Sequence, residues 1–238
     1  MKYLVTGSAG LIGNQIVHDL EKSGEIVYSS YNNVKPVNGI PIKLNLLNLE
    51  DIRKTFQKIQ PDIIIHSAAL TDVEKCEIEL ELANSINVKA TEVIAKEVEK
   101  TNSYLMYIST DYIFDGKKGL YKETDSINPL NNYGKTKLLG EKIIENNTSK
   151  WSIVRTSTPF GVHSLKKTFP VWVYENLKIN KKINILDDQL TSPTYVPNLS
   201  KMILEIITRN LEGFFHLSGS TKISRFEFAK MIATKLNL

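Results

Sequence analysis

Apolar residues in the first hundred positions fall into two patterns, short unbroken runs and three- or four-residue spacings. Tyr3-Leu4-Val5 is a run that ends at Gly7, and Leu11, Ile12, Ile16, Val17 and Leu20 then recur at helical spacing until Gly24. Residues 25–30 read as a second strand and 40–44 as a third. Residues 49–59 are amphipathic and stop at Pro61, and 63–65 form a buried strand. A long helix over 80–100 and a strand over 104–108 complete the order β-α-β-β-α-β-α-β. Strands that are apolar throughout, rather than alternating, predict a parallel sheet covered by helices on both faces.

Residues 111–131 form a long polar connection rich in Gly, Asn, Asp and Pro, a length that in compact domains points to function or disorder. A helix follows to residue 145, then a sixth strand over 151–155. Beyond Arg155 the pattern loosens into helices at 166–178, 197–209 and 224–236 and short strands at 182–186 and 213–217. The expectation is an α/β chain of doubly wound, Rossmann type. Residues 1–155 would form a dinucleotide-binding domain, and 156–238 a small substrate lobe interleaved with the last sheet elements.

Composition narrows the class. The chain has 238 residues, 42% hydrophobic and 24% charged, with a net charge of +4 spread along its length. No run of like charges suggests a nucleic-acid partner, and no apolar stretch approaches the ~20 residues of a membrane helix. Cys76 is the only cysteine, which suits a reducing cytoplasm. The first strand starts at once after Met1-Lys2, leaving no room for a signal peptide, so a cytoplasmic protein is expected. A homo-oligomer is compatible with all of this.

Thr6-Gly7-Ser8-Ala9-Gly10-Leu11-Ile12-Gly13 lies between the first strand and the first helix. In that setting Gly7 allows the tight turn, Gly10 lets the backbone approach a pyrophosphate, and Gly13 lets the helix pack on the sheet. The helix N-terminus then offers free N–H groups to phosphate. Leu11 and Ile12 of the same loop, Ser30, and the pair Asn45-Leu46 join the glycines as cofactor-binding candidates. The second strand ends Tyr28-Ser29-Ser30-Tyr31-Asn32-Asn33 with no carboxylate for a ribose 2′-OH. Hydroxyls, amides and Lys35 suit a 2′-phosphate, so NADP(H) is the preferred cofactor and NAD(H) the alternative.

Tyr133-Gly134-Lys135-Thr136-Lys137 sets a tyrosine and a lysine four residues apart, on one helix face. A free phenol titrates near ~10. A neighbouring ammonium favours its ionised form, and the tyrosine can hand its proton to a carbonyl oxygen while hydride reaches the carbon. Thr110 ends the fifth strand, on the side where doubly wound sheets bind ligands. Thr110, Tyr133 and Lys137 are the catalytic candidates.

The glycine spacing resembles that of extended short-chain dehydrogenases/reductases. Longer blocks are more specific. Residues 61–71 (Pro-Asp-Ile-Ile-Ile-His-Ser-Ala-Ala-Leu-Thr), 109–116 (Ser-Thr-Asp-Tyr-Ile-Phe-Asp-Gly) and 129–134 (Pro-Leu-Asn-Asn-Tyr-Gly) resemble the dTDP-4-dehydrorhamnose reductase family. So do Leu139-Gly140-Glu141, Arg155-Thr156-Ser157, Asp188-Gln189 with Pro193-Thr194, and His216-Leu217-Ser218-Gly219. The resemblance runs in order along nearly the whole chain. It implies reduction of the 4-keto group of a nucleotide-linked deoxysugar, with Ala68 and Ala69 on the cofactor wall. It also implies that Thr71, Asp111 and Tyr112 lie beside the substrate. Lys166 and Lys167, with Arg155 as a weaker candidate, are the cations expected near the diphosphate.

The chain departs from that family in four places. Thr158-Pro159-Phe160-Gly161 replaces Trp-Val-Tyr-Gly, which removes an aromatic expected on the sugar. Thr191 and Ser192 alter the segment between Asp188 and Pro193. Asn45 stands where an adenine-contacting aspartate is expected. The chain also ends sooner than most relatives, which suggests a shortened lobe. The regulatory subunit of methionine adenosyltransferase resembles the same family and acts by binding a partner enzyme, so a non-catalytic NADP-binding role is the alternative function. His18, His66, His163 and His216 lack ligand spacing and no metal site is expected; His66 reads as a packed or cofactor-wall residue. Glu74, Glu77, Glu79 and Glu81 read as a solvated acidic face, Cys76 as a plain helix residue, and Phe169 and Trp172 as core or interface.

Overall fold

The computed structural model describes residues 1–238. The first half runs β1 (Lys2–Thr6), α1 (Leu11–Lys22), β2 (Ile26–Tyr31), β3 (Ile40–Lys43), α2 (Leu49–Ile59), β4 (Ile63–His66), α3 (Val73–Ile78), α4 (Leu80–Asn84), α5 (Ala90–Thr101) and β5 (Tyr104–Thr110). The second half runs α6 (Asn132–Asn147), β6 (Trp151–Thr156), β7 (Pro159–Phe160), α7 (Phe169–Lys178), β8 (Leu190–Thr191), β9 (Thr194–Tyr195), α8 (Val196–Thr208), β10 (Gly213–His216), β11 (Ile223–Ser224) and α9 (Arg225–Leu236). Seven strands make one parallel sheet in the order β10-β6-β5-β4-β1-β2-β3. The chain moves outward from β1 to β3, then returns to lay β4 on the other side of β1. That reversal opens a crevice beyond the carboxyl ends of β1 and β4, where Thr6 and His66 are in register.

Each sheet face carries its own core. On one side Ile16, Val17 and Leu20 of α1 meet Leu199, Ile203, Ile206 and Ile207 of α8. On the other, Ile52 and Phe56 of α2 pack with Ile94 and Val98 of α5 and Ile144 of α6. Burying one such side chain contributes roughly 1.5–3 kcal/mol, so α8 is integral to the sheet layers although it comes late in the chain. No helix is long and apolar enough to cross a membrane.

Local chemistry sets the helix starts. The Asn48 side chain accepts from the Glu50 and Asp51 amides to begin α2, and Asn131 Oδ1 accepts from Gly134 N at 2.8 Å to begin α6. Ser224 and Glu227 form a capping box at α9. The long helix expected over 80–100 is two helices joined by a π turn at Ser85–Lys89. That turn directs Asn87 inward, where its side chain holds the Leu70 amide at 2.8 Å and the Thr136 hydroxyl at 3.1 Å. The strand expected at 182–186 does not form. Those residues lack a pairing partner, and the local strand is Leu190–Thr191, antiparallel to β11. Glu77 is not simply solvated, since its carboxylate accepts from the backbone and side chain of Asn132 at 2.6 and 2.7 Å.

Arg155 requires a correction. It is 3% exposed, and its guanidinium donates to both oxygens of Glu141, at 3.2 and 2.8 Å, and to the Glu123 carbonyl at 3.2 Å. With those donors engaged it is a structural tie between β6, α6 and the 111–131 connection. Removing one partner of a buried pair leaves the other charge uncompensated. Arg155→Met should therefore lower the unfolding free energy by about 3–5 kcal/mol in urea denaturation. Adding Glu141→Gln should recover much of the loss, and an unchanged midpoint for the single variant would remove Arg155 from this role.

Candidate active site

A cavity of about 690 Å³ opens at the crevice. One wall is the loop after β1. Gly7 has φ +67°, and a Cβ there would lie 2.8 Å from the Ala68 Cα; a Cβ on Gly13 would lie 2.4 Å from the Gly7 carbonyl oxygen. The loop therefore holds its shape only without side chains, and it presents Gly7, Gly10, Leu11, Ile12 and Gly13 to the cavity as a cradle. This suits a pyrophosphate at the start of α1. Ser67, Ala68 and Ala69 follow β4 on the adjacent wall.

Ser30 near the end of β2, Asn32 and Asn33 beyond it, and Asn45 and Leu46 beyond β3 close one end of the cavity. Ser30 is itself buried, and its carbonyl accepts from the Ser8 hydroxyl at 2.7 Å. No carboxylate lines this end, and Lys35 is not on the wall. The only carboxylate of the whole cavity is Asp111.

Thr110, Asp111, Tyr112, Tyr133 and Lys137 gather at the other end. Thr110 ends β5; its hydroxyl accepts from the Tyr112 amide at 3.2 Å and donates to Asp111 at 3.3 Å. Tyr133 and Lys137 face them from the first turns of α6, with Tyr112 edge-on to Tyr133 at 5.7 Å between ring centroids. The Lys137 ammonium sits 3.8 Å from the centroid of the Tyr107 ring, a cation–π contact that helps to hold it in the interior.

Burial dominates the electrostatics here. It pushes the Tyr133 phenol above its ordinary value, with the Thr110 hydroxyl opposing and Asp111 adding to the rise. It lowers the Lys137 ammonium to about 7, against the pull of Glu141. Asp111 is raised by burial as well, with hydrogen bonds from Ser157 and Thr110 opposing. The ammonium was expected to depress the phenol; burial instead raises it, and Tyr133 is a protonated hydroxyl at neutral pH. His66, lowered to about 3 by burial and by Lys137, is neutral and bridges Thr6 at 2.7 Å and Thr91 at 3.1 Å.

Of the residues expected at the site, only Arg155 and Lys35 lie off the wall; Thr71, Lys166 and Lys167 sit along the rim. Among the wall residues that were not expected, three stand out. Thr158, in the position of the anticipated tryptophan, has φ +40°, a left-handed conformation costing a β-branched residue about 1–3 kcal/mol; its hydroxyl is hydrogen-bonded to Thr191. Phe169 belongs to the cavity rather than to the core or an interface. Arg225 reaches the wall from the start of α9. Its isolated place at 225 gave no spacing signal; the β8–β11 pairing and the packing of α9 on α7 bring it here.

The buried Lys137 ammonium carries a stability consequence. Between about 7 and the ordinary lysine value of 10.5 the unfolded chain holds a proton that the folded chain has released. The folding penalty is thus full below pH 7 and fades as pH rises toward 10.5. Each tenfold difference in proton affinity is equivalent to about 1.4 kcal/mol. Lys137→Met should therefore stabilise the ligand-free chain by a few kcal/mol at pH 6.5 and by much less at pH 9.5. Urea midpoints at the two pH values check this, and an equal gain at both would contradict it.

The profile of the RmlD substrate binding domain matches residues 1–238. A crystal structure of a hypothetical dTDP-4-dehydrorhamnose reductase from Sulfolobus tokodaii is 39% identical, covers 100% of this chain and 83% of its own, and superposes with a TM-score of 0.92. The dTDP-4-dehydrorhamnose reductase of Bacillus anthracis, solved in complex with NADP, is 33% identical with a TM-score of 0.90, over 100% of this chain and 81% of that one. Methionine adenosyltransferase 2 subunit beta of Xenopus tropicalis is 32% identical over 243 aligned residues, 99% of this chain and 72% of that protein.

Proposed function

The chain belongs to the RmlD substrate binding domain family, and we propose that it is an NADPH-dependent reductase of a 4-keto nucleotide-deoxysugar. The observation that carries this reading is the meeting of the glycine cradle with Thr110, Tyr133 and Lys137 in one cavity. A binding subunit needs the cradle but has no need of a buried hydroxyl, phenol and amine set together at its end.

The cradle would hold the dinucleotide pyrophosphate, and Lys137 the ribose next to the nicotinamide. When bound, the reduced nicotinamide supplies a hydride to the sugar carbonyl carbon. Thr110 would hydrogen-bond the carbonyl oxygen, and the protonated Tyr133 hydroxyl would donate its proton to that oxygen. Asp111 and Tyr112 would flank the sugar, in the lobe formed by residues beyond 155. The B. anthracis relative with NADP supports the phosphorylated cofactor. So does the carboxylate-free end at Ser30, Asn32 and Asn33.

Loss of reduced cofactor absorbance on adding dTDP-4-keto-6-deoxy sugars tests the reading. Turnover supports it. No turnover, together with stable association with a methionine adenosyltransferase catalytic subunit, would establish the second reading, which the X. tropicalis relative and Thr158 favour.

Tyr133→Phe should cut turnover by about 10²–10⁴-fold while NADPH affinity stays near that of the parent. Turnover within a factor of about two of the parent would remove Tyr133 as the acid, since a lost general acid costs far more.

Cofactor choice is testable at Asn32, which is exposed on the wall, whereas Ser30 is buried. Asn32→Asp adds a carboxylate that accepts from a ribose 2′-OH and repels a 2′-phosphate. Fluorescence titration should show the parent favouring NADPH and the variant shifted toward NADH; a parent that binds NADH more tightly would contradict the assignment.

A further inference from the structure

Three of the four arginines are ion-paired, Arg53 with Glu50, Arg155 with Glu141 and Arg209 with Glu205. Arg225 has no carboxylate within ion-pairing distance, and its Nε is buried without a hydrogen-bond partner. A buried charged donor without an acceptor is costly to the fold, which makes its placement informative. The Arg225 amide donates to the Gln189 carbonyl at 3.0 Å, beside the antiparallel β8–β11 pair, and α9 is capped at the preceding residue. The guanidinium is thereby set 4.9 Å from the centroid of the Phe169 ring.

That position is a seam. A second cavity of about 310 Å³ adjoins the lobe, and Phe169 and Arg225 are the two residues it shares with the larger one. Its remaining wall includes Trp172, with its ring 6.0 Å from that of Phe169 and 25° off parallel, and Asn184, Ile185 and Gln189. Aromatic faces and amide groups are what a nucleobase uses, by stacking and by hydrogen bonds along its edge. The sugar end is marked by Thr110, Asp111 and Tyr133 in the larger cavity. The group joining a sugar to its nucleoside is a diphosphate, and in this geometry it falls between the two cavities.

The lysines of the rim are less well placed for that group. Lys167 is ion-paired with Glu175, and Lys166 is exposed, with its ammonium 3.4 Å from the Thr71 hydroxyl. A guanidinium offers a planar fork of donors matched to phosphate oxygens, which an ammonium lacks. Resting on the nucleotide-sugar reading above, we infer that Arg225 is the residue that grips the substrate diphosphate, at the junction of the two cavities.

The test is calorimetry with saturating NADPH present, titrating dTDP, UDP, thymidine and inorganic pyrophosphate into the parent, Arg225→Met and Arg225→Lys. Arg225→Met should weaken dTDP binding by at least about tenfold, the equivalent of ~1.4 kcal/mol. Thymidine binding and NADPH affinity should stay within about twofold, an energy difference below ~0.5 kcal/mol. Arg225→Lys should recover part of the loss, because charge is kept and the fork is not, and it serves in place of the methionine variant if that one fails to fold. In steady state the same variants should raise KM for the sugar nucleotide more than they lower kcat. Parent-like dTDP binding in both variants would overturn the assignment, as would a parent that binds none of the diphosphates. A parent that binds dTDP through Arg225 yet reduces no sugar nucleotide would leave the assignment standing and remove the reductase reading alone.

Discussion

A buried ion pair, Glu141 with Arg155, underlies the geometry of the site. Glu141 stands one helical turn beyond Lys137 on α6 and accepts from the Ser109 hydroxyl at 2.5 Å, and Ser109 directly precedes Thr110. Arg155 carries the link onward to the Glu123 carbonyl, and the Glu123 carboxylate in turn accepts from the His216 amide at 2.9 Å. One carboxylate thus fixes the helix bearing Tyr133 and Lys137 against the strand that ends in Thr110, and its partner secures the connection between them. A pair of this kind offers little net stability over a well-packed apolar substitute. What it provides here is a single relative position for three reactive side chains, which chemistry on a carbonyl requires to within fractions of an ångström.

The same burial that orders the site gives it its protonation states. Tyr133 is held protonated and therefore able to donate. Lys137 is lowered to about 7, so near neutrality it exists in both forms and responds to whatever occupies the cavity. A low-dielectric pocket makes each of these groups more expensive to the fold and more effective toward a ligand. Thr158 follows the same logic, with a strained backbone on the cavity wall where an apolar ring was anticipated.

Much of this was legible from local pattern. The glycine loop could be read because strand, loop and helix are contiguous, and the Tyr133/Lys137 pair because four residues on a helix are neighbours in space. Helix α8 was visible in its own periodicity, although its packing on α1 was not. The misreadings share one cause, that the deciding partner is distant in sequence. Arg155 looked available to substrate because Glu141 lies on another element. Glu77 looked solvated because Asn132 lies on another element, and Asn87 carried no signal because Leu70 and Thr136 meet it only in the fold. Arg225 reaches the cavity through a two-residue strand pair that no propensity signals. The strand expected at 182–186 failed for the complementary reason, since apolar residues without a neighbouring edge do not make a ladder.

The central claim is that this cavity brings a reduced nicotinamide and a sugar carbonyl together and protonates the oxygen from Tyr133. The most direct measurement follows the hydrogen itself. The protein would be incubated with NADPH deuterated at the transferable position of the nicotinamide ring and with a dTDP-4-keto-6-deoxy sugar, and the sugar product analysed by mass spectrometry and proton NMR. The account predicts a single deuterium on the carbon that was the ketone, with one configuration at that carbon. A product without deuterium, or no reduced sugar while NADPH is demonstrably bound, would contradict it.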